Sequence, residues 1–459
     1  MPHPKKPTRY RGDFQILNPQ AAGIDVSATF HVVAVPPDAQ GFVEVRSFGT
    51  CTVDLEALAD WLTQNQVTTV AMESTGVYWI ALYDLLESKG FEVLLVDPRQ
   101  IQRAPGRPKT DKEDAQWIRR LHSVGLLRSA FRPDEGIRVL RCYMRQRANQ
   151  VRYASNHIQH MQKALEQMNV KLTEAVSDIT GKTGLSIIRA ILAGQRDPRV
   201  LAKLRDFRCK QDETQIARAL QGTWRVEHLF ELKQAMEVYD FYQKQILACD
   251  EVIEAQLKNL EPPEASDPPP PAPKGRRKSG KQKVKGPNFD ARKGLYRVTG
   301  VDLTAIEGIG EATALVVLSE IGTDIGRWGS SKQFCAWLGL CPQVKQSGLK
   351  VLSSRVRPGP NRAAQALRQA ANSLQSSQSA LGSFFRRIAA RSSRVQAVTA
   401  TAHKLARLVY ALLKHGQAYV AVGQEAYEAA HKERQLRVLH RKARELGYEV
   451  KERERTPQA

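Results

Sequence analysis

The amino-acid sequence predicts an α/β domain at the N-terminus, an α-helical coiled-coil middle and a mostly α-helical C-terminal domain. Three observations carry this. Short apolar strands alternate with helical patterns up to about residue 130, as expected of a mixed or parallel sheet covered by helices. Apolar residues at three-four spacing then run through residues 131–260. A Pro/Lys-rich stretch, 261–294, precedes a second helical block at 295–420. A chain of 459 residues is long enough for two or three domains with cores of their own.

Within residues 1–130, residues 22–35 read as a strand pair, 67–72 as a buried strand and 91–96 as another, with helices at 55–62 and 79–86. In the middle block, Ile137, Leu140, Met144, Val151, Ile158, Met161, Leu165, Met168 and Leu172 make one stripe. Leu229, Leu232, Met236, Tyr239, Ile246, Ile253, Leu257 and Leu260 make a second, less regular one. Such stripes fit a helical hairpin, a coiled coil between protomers or core packing inside one chain. Residues 274–285 carry Lys274, Arg276, Arg277, Lys278, Lys281, Lys283 and Lys285 and no acid, which reads equally as a solvated spacer or a nucleic-acid contact. Beyond 421 the charge is mixed again, and the tail to 459 reads as an exposed helix.

The formal net charge of +22 and a pI near 9.8 point to a polyanionic partner. No Asp or Glu lies between Asp324 and Glu425, while Lys332, Lys345, Lys350, Arg355, Arg357, Arg362, Arg368, Arg386, Arg387, Arg391 and Arg394 fall there. A solvated face mixes both signs, so this interval reads as a phosphate-binding surface. The longest apolar runs, such as 314–318 and 93–96, are far short of a membrane helix. The basic N-terminus lacks an apolar signal core, so a cytoplasmic protein without a membrane partner is expected. The six cysteines contain no Cys-x-x-Cys pair; they argue against zinc or disulfides and read as small buried apolar residues.

Four acids stand out. Asp25 follows Gly23 and Ile24 inside an apolar strand, where an isolated carboxylate is costly. Glu73 ends the next buried strand, just before Ser74-Thr75-Gly76. Thr110 and Glu113 have capping-box spacing, which starts a helix with Asp111 at its first position and Asp114 one turn later on the same face. Singly, each acid is explained by a turn or by a helix dipole. Together they would repel one another without a cation, and hard oxygen ligands suit Mg²⁺, with two ions clamping a phosphodiester.

Residues 303–315, with Gly308 and Gly310, resemble a helix-hairpin-helix whose backbone N–H groups meet a phosphate; an ordinary helix–helix turn is the simpler alternative. Ser347 lies in a basic loop with Lys345, Gly348 and Lys350, ahead of Arg355, Arg357, Arg362 and a helix bearing Arg368. By itself it is a surface serine.

Taken in order, Gly23-Ile24-Asp25, residues 72–76, residues 109–115, residues 306–310, residues 334–342 and Gln346-Ser347-Gly348 resemble the DEDD-type insertion-sequence transposases, the "one-ten" family of bridge-RNA-guided serine recombinases. The likeness covers most of residues 20–415. It implies an RNase H-like, RuvC-like N-terminal domain with Asp25, Glu73, Asp111 and Asp114 as the Mg²⁺ quartet. It also implies Ser347 as the nucleophile, forming a phosphoserine-linked DNA end. Donor and target DNA, a structured noncoding bridge RNA, a tetramer built as a dimer of dimers and a bacterial, nucleoid-associated setting follow from the same resemblance. The linker near 261–290 and the tail beyond about 425 depart from the family pattern.

The serine block offers no nearby carboxylate in sequence, so the acids must reach Ser347 from the first domain, across the linker or from another subunit, in a composite site assembled on nucleic acid. Two other functions fit parts of the sequence. One is a junction-resolving nuclease or hydrolytic transposase using metal-activated water. The other is a non-enzymatic nucleic-acid-binding protein, which leaves the four acids unexplained.

Overall fold

The computed structural model describes residues 15–101, 110–262, 286–359 and 361–450. The basic run 274–285 and Lys109 lie outside them. The chain divides into two compact units, Met1–Arg132 and Pro133–Ala459.

The first unit is built on one mixed sheet. Strands β1 (Ala21–Val26) and β2 (Phe30–Ala34) pair antiparallel, with Gly23 opposite Ala34. β3 (Val45–Gly49) extends the sheet beyond β2 and was not expected from sequence, because its five residues are half-exposed or exposed and make no apolar run. β4 (Thr69–Glu73) and β5 (Glu92–Val96) add parallel strands on the other side, giving the order β3-β2-β1-β4-β5. Strand side chains alternate between faces. On one face Ile24, Val26, Val70 and Met72 meet Leu55, Leu58 and Leu62 of α1 (Thr52–Gln64) and Leu82 and Leu86 of α2 (Trp79–Ser88). Each such fully buried side chain contributes about 1.5–3 kcal/mol. On the other face Ala71 packs with Ile118, and Val32 and Ala34 with Ala115, of α3 (Asp111–Ser123). α3 begins where Thr110 Oγ1 accepts the Glu113 N–H at 3.3 Å.

In the second unit the two predicted stripes meet inside one chain. α4 (Glu135–Gln167) and α9 (Val226–Asn259) pack together, and α5 (Leu172–Ala175), α6 (Lys182–Leu192), α7 (Pro198–Ala202) and α8 (Glu213–Ala219) join their core. Met168 and Leu172 fall outside the α4 seam, as its C-cap and as the first residue of α5.

The rest of the unit comprises α10 (Ala291–Thr299), α11 (Glu311–Ile321), α12 (Ser331–Trp337), a hairpin of β6 (Lys345–Ser347) and β7 (Lys350–Ser353), α13 (Arg362–Ser373), α14 (Ala380–Arg391) and α15 (Arg394–Glu445). α15 breaks at Gly416 (φ 82°) and continues past residue 420, so the tail begins within a helix.

A polar seam fastens α4 to these later elements. The Arg147 guanidinium donates to Asp250 at 2.6 and 3.3 Å and to the Gly286 carbonyl at 2.7 Å, while Asn288 donates to the same carboxylate. Arg141 donates to the Ser319 and Glu320 carbonyls at the end of α11, where a cation also meets the helix dipole. The elements flanking the linker therefore pack directly together. The division that separates the acids from Ser347 falls after Arg132 instead.

The cysteines depart from expectation: only Cys335 is buried, and Cys51, ahead of α1, and Cys142, on α4, are exposed. No helix among the described residues is long and apolar enough to cross a membrane.

Candidate active site

Strand register brings two of the acids together. β1 and β4 run parallel with Ile24 opposite Met72, so the next step sets Asp25 beside Glu73. Both share the face of Gly23 and Ala71, which α3 covers. A Cβ at Gly23 would lie 2.2 Å from the Arg119 nitrogen and 2.5 Å from the Ala115 carbonyl oxygen, so helix backbone rests directly on the strand.

The direction of α3 supplies the other two. His122, near its end, hydrogen-bonds Thr69 at the start of β4 (2.9 Å), whereas Ala115 and Arg119 lie at Gly23. The helix therefore runs against the strands, and its first turn, with Asp111 and Asp114, points toward the ends occupied by Asp25 and Glu73. Register and helix direction thus assign the four acids to the same end of the sheet. They do not close into a cage: no three His, Cys, Asp or Glu side chains among the described residues stand close enough to hold a metal ion. The donor set is nonetheless one of carboxylate oxygens, which fits a hard divalent cation in kind.

Two neighbours, named in the sequence motif, are given no role there. Thr75 Oγ1 donates to Glu73 Oε1 at 2.6 Å. The Ser74 N–H and hydroxyl both donate to the Val96 carbonyl, at 2.9 and 3.0 Å, and pin the exit of β4 to β5. Short polar residues after a strand end were the available signal.

Ser347 sits on a hairpin rather than in a loop. It ends β6 and pairs with Lys350 across a two-residue turn, Gly348-Leu349. Gly348 has φ 56°, the left-handed value such a turn needs at its first position. The arm is tied at its base by the Pro342–Val356 bridge and by the Gln343 N–H to the Arg355 carbonyl (2.9 Å). Residues 342–352 are all exposed. Directly opposed residues share a face, as do residues two apart, so Lys345, Ser347 and Lys350 line one side. A hydroxyl between two ammonium groups can meet a phosphate, but neither lysine readily accepts its proton while charged.

The remaining candidates are more mixed. Gly308 packs toward the Leu374 side chain, whereas Gly310 faces open space as the N-cap of α11. Glu307 and Glu311 flank that turn, and Glu307 accepts a bond from Ser377, so any phosphate there depends on backbone N–H groups. A 3-10 turn, Leu303–Ala305, stands where a full first helix of the motif was expected. Arg355 and Arg357 are exposed beyond the arm. Arg362 starts α13 behind its N-cap Asn361, and Arg368 donates to the Gly339 carbonyl at 3.3 Å, fastening α13 to the end of α12.

Comparison with known proteins identifies the class. Residues 22–170, which hold all four acids, match a DEDD-type family model described as a transposase. Residues 302–386, which hold Ser347 and the cationic candidates, match a model described as "Transposase IS116/IS110/IS902 family". The chain belongs to the IS110 family of transposases. A curated protein named "Putative transposase y4qE", of Sinorhizobium fredii (strain NBRC 101917 / NGR234), is 30% identical over 148 residues. The match covers 30% of this chain and 36% of that relative, so the chain spans about a third of the relative's length.

Proposed function

We propose that this chain is a Mg²⁺-dependent DNA recombinase that moves an insertion sequence, cutting and rejoining strands through a phosphoserine link at Ser347. The observation that carries the reading is the strand register that sets Asp25 beside Glu73, with α3 directing the turn that bears Asp111 and Asp114 toward the same strand ends, in a protein of net charge +22. The mixed sheet, an antiparallel hairpin followed by parallel strands, supports an RNase H-like reading of the first unit. These acids would hold the divalent ions, which supply charge neutralisation at the transferring phosphate. Attack by the Ser347 oxygen on phosphorus forms one P–O bond and breaks another. The serine proton passes to a base, and the leaving deoxyribose oxygen takes one up. Guidance by a structured noncoding RNA and assembly as a homotetramer follow from the family resemblance, and the acid-free basic interval suits either nucleic acid.

The test uses full-length protein, nicked suicide DNA carrying the element's terminus and the transcript of the neighbouring noncoding segment. A covalent protein–DNA adduct that disappears in Ser347→Ala, with Asp25→Asn binding DNA normally but failing in strand transfer, is the expected result. Clean hydrolysis without adduct would overturn the serine route in favour of metal-activated water. Unchanged recombination by Asp25→Asn would overturn the metal site.

A further inference from the structure

The arm that carries Ser347 has a second side that the chemistry does not use. Leu349, in the two-residue turn immediately after Ser347-Gly348, is 100% exposed. Val344 and Val351, on the side opposite Lys345, Ser347 and Lys350, are 60% and 56% exposed, and Leu352, at the strand irregularity, is 62% exposed. An apolar surface of this kind costs solubility unless something covers it.

The surroundings narrow what that is. Cations occupy the other side of the same arm, Arg355 and Arg357 follow it, and no acid occurs from residue 325 to 424. A single extended leucine at the tip of a cationic arm matches the apolar wedges that nucleic-acid-binding proteins insert between stacked bases, while neighbouring cations hold the backbone.

We propose that Leu349 is a wedge that enters the DNA base stack beside the phosphate attacked by Ser347, unstacking one step and presenting that phosphate to the hydroxyl. The two roles divide between adjacent positions of one turn: Lys345 and Lys350 grip the backbone, and the leucine opens the step. Leu349 is thus a positioning residue. The inference rests on the reading of Ser347 given above, and the two can fail separately.

The experiment places 2-aminopurine, whose fluorescence rises on unstacking, in the base step at the cleaved phosphate of a duplex carrying the element's terminus. The full-length protein and the transcript of the neighbouring noncoding segment are added. Wild type should brighten the probe severalfold. Leu349→Ala should bind with similar affinity, leave the probe near its duplex level and form adduct about 10- to 100-fold more slowly, the scale of one unstacking step. Leu349→Phe should restore both signals. Ser347→Ala should brighten the probe fully and form no adduct. If Ser347→Ala still forms the adduct while Leu349→Ala leaves the probe dim, the serine reading fails and the wedge stands. Full brightening by Leu349→Ala would overturn the wedge. So would loss of self-association in light scattering for that variant, which would assign the apolar tip to a contact between copies. All three variants change exposed residues of the arm, and an unaltered melting temperature checks that they fold.

Discussion

The acid end of the sheet and the serine arm are held in opposite ways. Asp25 and Glu73 lie at or next to the ends of strands whose register is set by a buried core, and Asp111 and Asp114 start a helix whose backbone rests on Gly23. Ser347 sits on an arm exposed along its length and shaped by its own turn and a bridge at its base. The position of each acid is therefore a property of the fold, and the position of the hydroxyl a property of one turn. A change beneath the acids should be felt as instability and lost chemistry together, whereas a change on the arm should be felt in chemistry or affinity alone.

The largest stability effect is expected in the unit that bears the arm but far from the arm in sequence. Asp250→Ala would leave the buried Arg147 guanidinium without its carboxylate and remove the acceptor of Asn288. A loss of about 3–5 kcal/mol follows for a buried pair broken on one side. Urea denaturation should show it. An effect under about 1 kcal/mol would mean that the seam is not a structural fastening.

Gly23→Ala attacks the acid end through its scaffold. The added Cβ would press on α3 backbone, which cannot swing aside as a side chain can. Overpacking of this kind costs about 1–3 kcal/mol. Because the displaced helix carries Asp111 and Asp114, strand transfer should fall along with the melting temperature. A variant that lost stability but kept full activity would break the proposed dependence of the acids on α3.

A pH profile sharpens the same point. Burial holds the His122 imidazole below its ordinary 6.5, and the opposing charge of Glu92 is the smaller influence; burial also lowers His31. In the unfolded chain both take up protons near 6.5, so below that pH the unfolded state binds more protons and is favoured. Stability should be at its full value above about 6.5 and decline as the pH falls toward the depressed folded values. His122→Asn should shrink the decline between pH 7 and 5 measured in urea, leaving the part due to His31, His157 and His403, which burial also lowers. An unchanged slope would rule His122 out.

The sequence made the frame of the first unit legible because apolar alternation and the Thr110 cap are local signals: four of its five strands and its three α-helices were expected where they occur. β3 was lost because it lies half-exposed at the sheet edge, where no apolar pattern is required. The Arg147–Asp250 seam was lost because a buried ion pair joins residues 103 positions apart. The two stripes showed that long helices would pair, but a heptad pattern is the same within a chain and between chains. At the site, the sequence offered candidate residues but not their geometry. Nothing in Lys-Gln-Ser-Gly-Leu-Lys fixed a hairpin, since its outward residues carry no alternation against a core.

The smallest effect belongs to the arm itself. Lys350 faces Ser347 across the turn on a surface open to solvent, so its ammonium group can contribute a phosphate contact and little structure. Lys350→Ala should leave the unfolding free energy within about 0.5 kcal/mol of wild type, as surface substitutions do. Its mark should appear in the salt dependence of DNA binding, where each lost phosphate contact lowers the slope of log K against log salt by about 0.9. Binding should weaken by less than about tenfold and evenly across DNA sequences, because a backbone contact reads no bases. Lys345→Ala should do the same, and the double variant should lower the slope by about twice as much. A wild-type slope in both single variants would mean that the cationic side of the arm does not touch phosphate, and Ser347 would lose the groups that bring its substrate to it.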